Sequence, residues 1–166
     1  SYSGSRFTNA LLSSAKDYAV ADAKATAARM DSLLISGIQI ARDLSGVAQG
    51  YRDFPLVSRR AILSGFARSA IASNTDILGA WYIFEPDAVD GQDAAWKGAA
   101  GQTASGQFAP YWYRSGGKLA LEYATEDEEG TVSSFYTVPR DTRREYLTDP
   151  YEFELENGSK VTAISF

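Results

Sequence analysis

The chain predicts an α+β domain: an antiparallel sheet with helices mostly on one face, preceded by one long helix. Three observations predict it. Apolar or small residues recur every three or four positions through residues 4–48. From Ile77 the period of the pattern drops from about 3.6 residues to about 2. Glycine turns of hairpin type, Ser115-Gly116-Gly117 and Asn157-Gly158, punctuate the second half.

The long helix carries the stripe Phe7, Leu11, Ser14, Tyr18, Ala21, Ala25, Ala28. After a slip in register, Met30, Leu34, Gly37, Ala41, Leu44 and Ala48 continue it, with a weak point near Gly37. Many members are small, so either the protein's own sheet or a second copy of the helix can approach closely. Gly50 closes the tract, and Pro55 is placed to begin a second helix over residues 56–73. Leu56, Arg59/Arg60, Leu63, Phe66/Ala67 and Ala70 give its inner face, with Arg59, Arg60 and Arg68 lying toward the outside.

Ile77–Phe84 is a strand of β-branched and aromatic residues, stopped by Pro86. Asp87 to Gly91 is a turn, and residues 94–107, rich in Ala, Gly, Ser and Gln, read as a loop with little core content. Phe108–Arg114 and Lys118–Tyr123 form a hairpin. Thr125–Gly130 is an acidic, solvated tip. Ser133–Pro139 reads as extended and residues 140–147 as helical. Tyr151–Leu155 and Lys160–Phe166 close the chain as a second hairpin around Asn157-Gly158.

Composition narrows the function. There is no cysteine and no histidine. Disulfides, thiolate zinc sites and histidine triads are therefore excluded, and no cofactor is expected. A carboxylate pair such as Glu85 and Glu122 leaves a hydrolase open only as a minor alternative. A net charge of −5 argues against a nucleic-acid partner. No stretch reaches the ~18 apolar residues of a membrane span.

The aromatics fall in three groups: Trp81, Tyr82 and Phe84; Phe108, Tyr111, Trp112 and Tyr113; Phe135, Tyr136 and Tyr151. Carboxylates accompany them: Glu85, Glu122, Asp149 and Glu152. Alternation sends Tyr82 and Phe84 to one face and Trp81 and Ile83 to the other; Tyr111 and Tyr113 share a face opposite Trp112. Aromatics on both faces mean that the second face is covered too, by a partner (as in a dimerisation or interaction domain with no small ligand), by a loop lid over a core, or by a ligand. A ring-lined hollow edged by carboxylate suits an amine or quaternary ammonium ligand. The ligand contacts expected are Tyr111, Trp112, Tyr136, Tyr151 and Asp149, with Phe84 and Glu122 next. Arg114 could instead clamp an anion. The spacing of Asp87, Asp90 and Asp93 is that of turn and cap residues more than of a calcium loop.

The stretch Trp81-Tyr82-Ile83-Phe84-Glu85-Pro86-Asp87-Ala88-Val89-Asp90-Gly91-Gln92-Asp93 resembles the W-x-x-[WF]-E-P-N-A-x-D-G-x-D segment of bacterial double Cache sensor domains. Gly106 to Arg114 resembles their G-x-F-x-P-Y-W-x-R segment. Phe135-Tyr136 with Pro139-Arg140, and Leu147 to Tyr151, resemble the segments that follow in the same order. The resemblance implies a PAS-like fold in the extracytoplasmic, ligand-binding region of a membrane-embedded chemotaxis receptor, histidine kinase or diguanylate cyclase. It implies a non-catalytic sensor whose residues 1–50 form a stalk helix, pairing as a homodimer, and whose residues 51–166 form the membrane-distal module. A membrane-proximal module would lie outside the chain. In the amino-acid-sensing members an arginine grips the ligand carboxylate and an aspartate its amine. Those positions fall here near Ser133 and at Phe153, whereas Tyr136 and Tyr151 match. The resemblance thus argues against an α-amino acid.

Overall fold

A computed structural model describes residues 2–124, 134–154 and 158–166. The acidic tip at 125–130, Ser133 and the Asn157 turn position lie outside the described residues. Helix α1 runs from Tyr2 to Gln49 without a break at Gly37. The chain divides into two compact units, Ser1–Ile38 and Gln39–Phe166. In the first unit the apolar side chains Leu11, Leu12, Tyr18, Met30 and Ile35 are exposed.

In the second unit, α1 ends at Gly50, whose N–H donates to the Val47 carbonyl. After turns at Tyr51–Asp53 and Leu56–Ser58, helix α2 spans Arg59–Ser73. Leu63, Ala67 and Ile71 recur every four residues on α2 and are wholly buried. Leu56, in the turn before α2, and Phe66, both expected inside, are exposed. Asn74 stops the helix, its side chain donating to the Ala70 carbonyl.

Strand β1, Gly79–Trp81, is shorter than the apolar run. The pairing nevertheless continues, since Tyr82 N–H donates to Pro110 O and Phe84 N–H to Phe108 O. Strands β2, Pro110–Ser115, and β3, Lys118–Tyr123, form the expected hairpin. The order is β1-β2-β3, all antiparallel. Strands β4, Tyr151–Glu154, and β5, Lys160–Ala163, pair separately as a two-stranded sheet. The single continuous sheet that the pattern suggested is therefore two.

The largest departure is helix α3, Ser134–Thr142, where an extended segment was expected. Phe135, Tyr136, Thr137 and Val138 are strand-prone residues. Ring packing of Phe135 on Trp81 and the bond from Tyr136 to Glu85 outweigh that preference. Arg143, in left-handed backbone at φ 56°, ends the helix well before residue 147.

The core lies between α2, the end of α1 and one face of the three-stranded sheet. It holds Leu63, Ala67, Ile71, Ala80, Tyr82, Val89 and Phe108, with Leu44, Val47, Ala48 and Phe84 packed around them. Each fully buried large side chain contributes roughly 1.5–3 kcal/mol.

Candidate ligand site

The face of the sheet opposite the core carries the candidate site. Register sets its membership: Trp81 stands opposite Tyr111, and Tyr111 opposite Glu122. Tyr113, two residues from Tyr111, shares the face. The Tyr111 and Tyr113 rings stack at 5.1 Å between centroids. Trp81 meets Tyr111 edge-on at 6.1 Å and Phe135 of α3 at 5.6 Å. Gly79 makes room for this arrangement, because a Cβ there would lie 2.3 Å from the Tyr111 ring.

Hydroxyls bind the carboxylates to the rings. Tyr113 donates to Glu122 Oε1 at 2.8 Å, and Tyr136 donates to Glu85 Oε1 at 2.8 Å. Burial, with the Tyr151 and Glu122 charges adding to it, pushes the Tyr111 phenol up to about 12. Tyr111 therefore stays neutral and keeps its proton for donation. Tyr151 shares a hydrogen bond with Ser165, which Thr148 holds in place through the Ser165 N–H. Arg140 places its guanidinium 5.2 Å from the centre of the Tyr136 ring.

Of the expected contacts, Tyr111 and Glu122 are paired on this face, Tyr136 bonds Glu85 from α3, and Tyr151, on the separate β4–β5 sheet, bonds Ser165. Asp149 is exposed ahead of β4. Trp112 and Phe84 lie on the other face. Trp112 donates to Ser64 Oγ of α2 at 2.9 Å. Phe84 packs on Tyr51, Tyr82 and Phe108. Arg114 points its guanidinium at the Ile71 carbonyl, near the C-terminus of α2, rather than toward a ligand anion. Trp81, Tyr113, Phe135 and Glu85 take the places of Trp112 and Phe84 on the aromatic face. Strand parity with Tyr111 was the signal for Trp81 and Tyr113.

The residues around Asp87 serve a different purpose. Asp90 and Asp93 both accept from Arg60, which is 4% exposed, rather than facing outward. The Arg60 hydrogen bond holds the Asp90 carboxyl below the usual carboxylate range. Asp87 and Asp93 exchange backbone-to-carboxylate bonds, closing the turn. Arg60 also reaches Gln102 and Gly106 O, so the 94–107 loop holds buried polar anchors where little core was expected. Among the described residues no acidic cluster is placed to hold a metal ion.

No family model matches the chain. The chain is 32% identical over 120 residues to the methyl-accepting chemotaxis protein TlpQ of Pseudomonas aeruginosa. That match covers 64% of this chain and 17% of the receptor, so the chain spans about a sixth of its curated relative. The crystal structure of the extracellular domain assigned to histidine kinase mmHK1S-Z3 superposes with a TM-score of 0.62 at 26% identity, over 74% of this chain and 43% of that one. The corresponding domain of mmHK1S-Z2 shares the fold, with a TM-score of 0.54 at 20% identity over 81% and 51%. Fold and likeness together define the chain as an extracytoplasmic sensor domain. Its fold matches that of the extracellular sensor domains it superposes on, and its ordered motifs resemble those of Cache domains. Among the described residues no helix is long and apolar enough to cross a membrane.

Proposed function

We propose that this domain binds a small amine or quaternary ammonium compound on the Trp81, Tyr111 and Tyr113 face and reports its presence through α1 of a bacterial chemoreceptor. The observation that carries this reading is the joining of ring faces to carboxylates by tyrosine hydroxyls, at Glu122 and again at Glu85. Each ring face attracts an ammonium by ~0.5–2 kcal/mol, and the carboxylates add charge pairing. Arg140 over Tyr136 is the chain's own example of a cation on such a ring. Tyr111, Tyr136, Tyr151 and Glu122 are the direct contacts, with Asp149 at the rim. The role is one of binding, without catalysis or a cofactor. Residues 1–50 act as stalk and 51–166 as the membrane-distal module of a membrane-embedded parent.

Calorimetric titration with choline, betaines, polyamines and amino acids tests the reading. Amines bind and α-amino acids do not; Tyr111→Leu and Glu122→Gln each weaken binding about tenfold, the loss of roughly one desolvated ring or charge contact. Binding of amino acids with none of amines would sink the reading.

The likeness to a histidine-kinase domain favours a second output, a kinase in place of a chemoreceptor, for the same binding event. The exposed Leu11, Tyr18, Met30 and Ile35 of the first unit support pairing of two long helices in a homodimer. Sedimentation of the chain checks this, and charged substitutions at Tyr18 and Met30 leave it monomeric if the pairing holds.

A further inference from the structure

We propose that the ion pair between Arg42 and Glu145 is the contact through which occupancy of the aromatic face reaches α1. This rests on the reading of that face as the ligand site.

The pair is bidentate. Arg42 Nε donates to Glu145 Oε1 at 2.6 Å and Nη2 to Oε2 at 2.8 Å. It joins residues 103 apart in sequence. Arg42 belongs to the last turns of α1, which pack on the core face: Leu44, Val47 and Ala48 lie against the core, and Tyr82 donates its hydroxyl to Leu44 O at 3.0 Å. Glu145 belongs to the segment leaving α3, and α3 covers the aromatic face through Phe135 and Tyr136. The pair therefore ties the helix on one side of the sheet to the cover on the other.

A ligand that inserts against Trp81 and Tyr111 must displace or re-seat α3. The strain then reaches Glu145 within a few residues, and a two-point fork transmits direction as well as charge. A ligand shifts such an element only by binding its two positions unequally.

The test uses the whole 166-residue chain, its R42E and E145R variants and the R42E/E145R swap, with choline and spermidine as probes. Hydrogen exchange is followed in α3 and in Gln39–Gln49. In the unmodified chain the probe alters exchange in both. In each single variant α3 still responds and Gln39–Gln49 does not; the swap restores the response. The single variants change probe affinity about two- to fivefold, the range of an exposed pair. An equal response of Gln39–Gln49 in R42E, or binding that no variant alters, overturns the inference alone. No probe binding to the unmodified chain overturns the reading of the face and this inference with it.

Discussion

Arg60 spends all five of its N–H donors on neighbours: both oxygens of Asp90, one of Asp93, Gln102 Oε1 and the Gly106 carbonyl. Its guanidinium also lies 5.1 Å from the Trp96 ring centre and 5.7 Å from that of Phe108. Replacing it with methionine leaves two buried carboxylates with backbone N–H donors but no cationic partner. We expect a loss of ~3–5 kcal/mol in urea unfolding. Arg60→Lys recovers little of it, since a single ammonium cannot fork. Asp90, whose folded-state pKa is depressed, contributes stability that is present above its unfolded pKa. That contribution is lost as pH falls below about 4 and through the folded value, and acid titration of unfolding shows it. In Arg60→Met this part of the acid dependence disappears. Gly106, at φ +90°, is equally constrained: a Cβ there would overlap the Asp93 carbonyl at 1.8 Å. The acidic motif was visible in the sequence. Its partner was not, because helical spacing sorts residues by polarity and places an arginine outside, while the carboxylates that draw it in lie 30 and 33 residues away.

Among the elements, α2 and α3 stand at opposite ends of stability. α2 buries Leu63, Ala67 and Ile71 completely, whereas α3 is nine residues long, holds no buried side chain and contains Pro139. That proline lacks the N–H that would reach back along the helix. Hydrogen exchange should therefore run orders of magnitude faster in α3 than at Leu63–Ile71. Leu63→Ala should cost ~2–5 kcal/mol, leaving a cavity that rigid neighbours cannot close. The first two helices and the β2–β3 hairpin were legible, because period and turn chemistry act over a few residues. α3 was not, since contacts to Trp81 and Glu85, some fifty residues distant, decide its shape. Nor does any local signal say that β4 and β5 pair with each other and form a separate sheet.

At the scale of the second unit, one sheet separates two kinds of chemistry. Its core side is apolar and joined to α1 and α2; its other side carries tyrosines and carboxylates under α3. Substitutions should sort by side. Trp112→Leu should lower the unfolding midpoint and leave amine affinity within about twofold, the opposite of the pattern expected for Tyr111→Leu, because it breaks the bond to Ser64 on the side away from the proposed site. Strand alternation foretold which rings share a side. It did not reveal which side the helices cover, and so did not show that Trp112 and Phe84 pack toward α2 and the core.

Gly79 sets a condition on any redesign. Since the Tyr111 ring rests on bare backbone there, the floor of the aromatic patch depends on a residue with no side chain to exchange. Under the proposed reading, recognition is rewritten at Trp81, Tyr113 or Glu122 with little disturbance to the buried half of the molecule, as in building a biosensor for a new analyte. A methyl group at position 79 would force the Tyr111 ring to shift in every such variant alike.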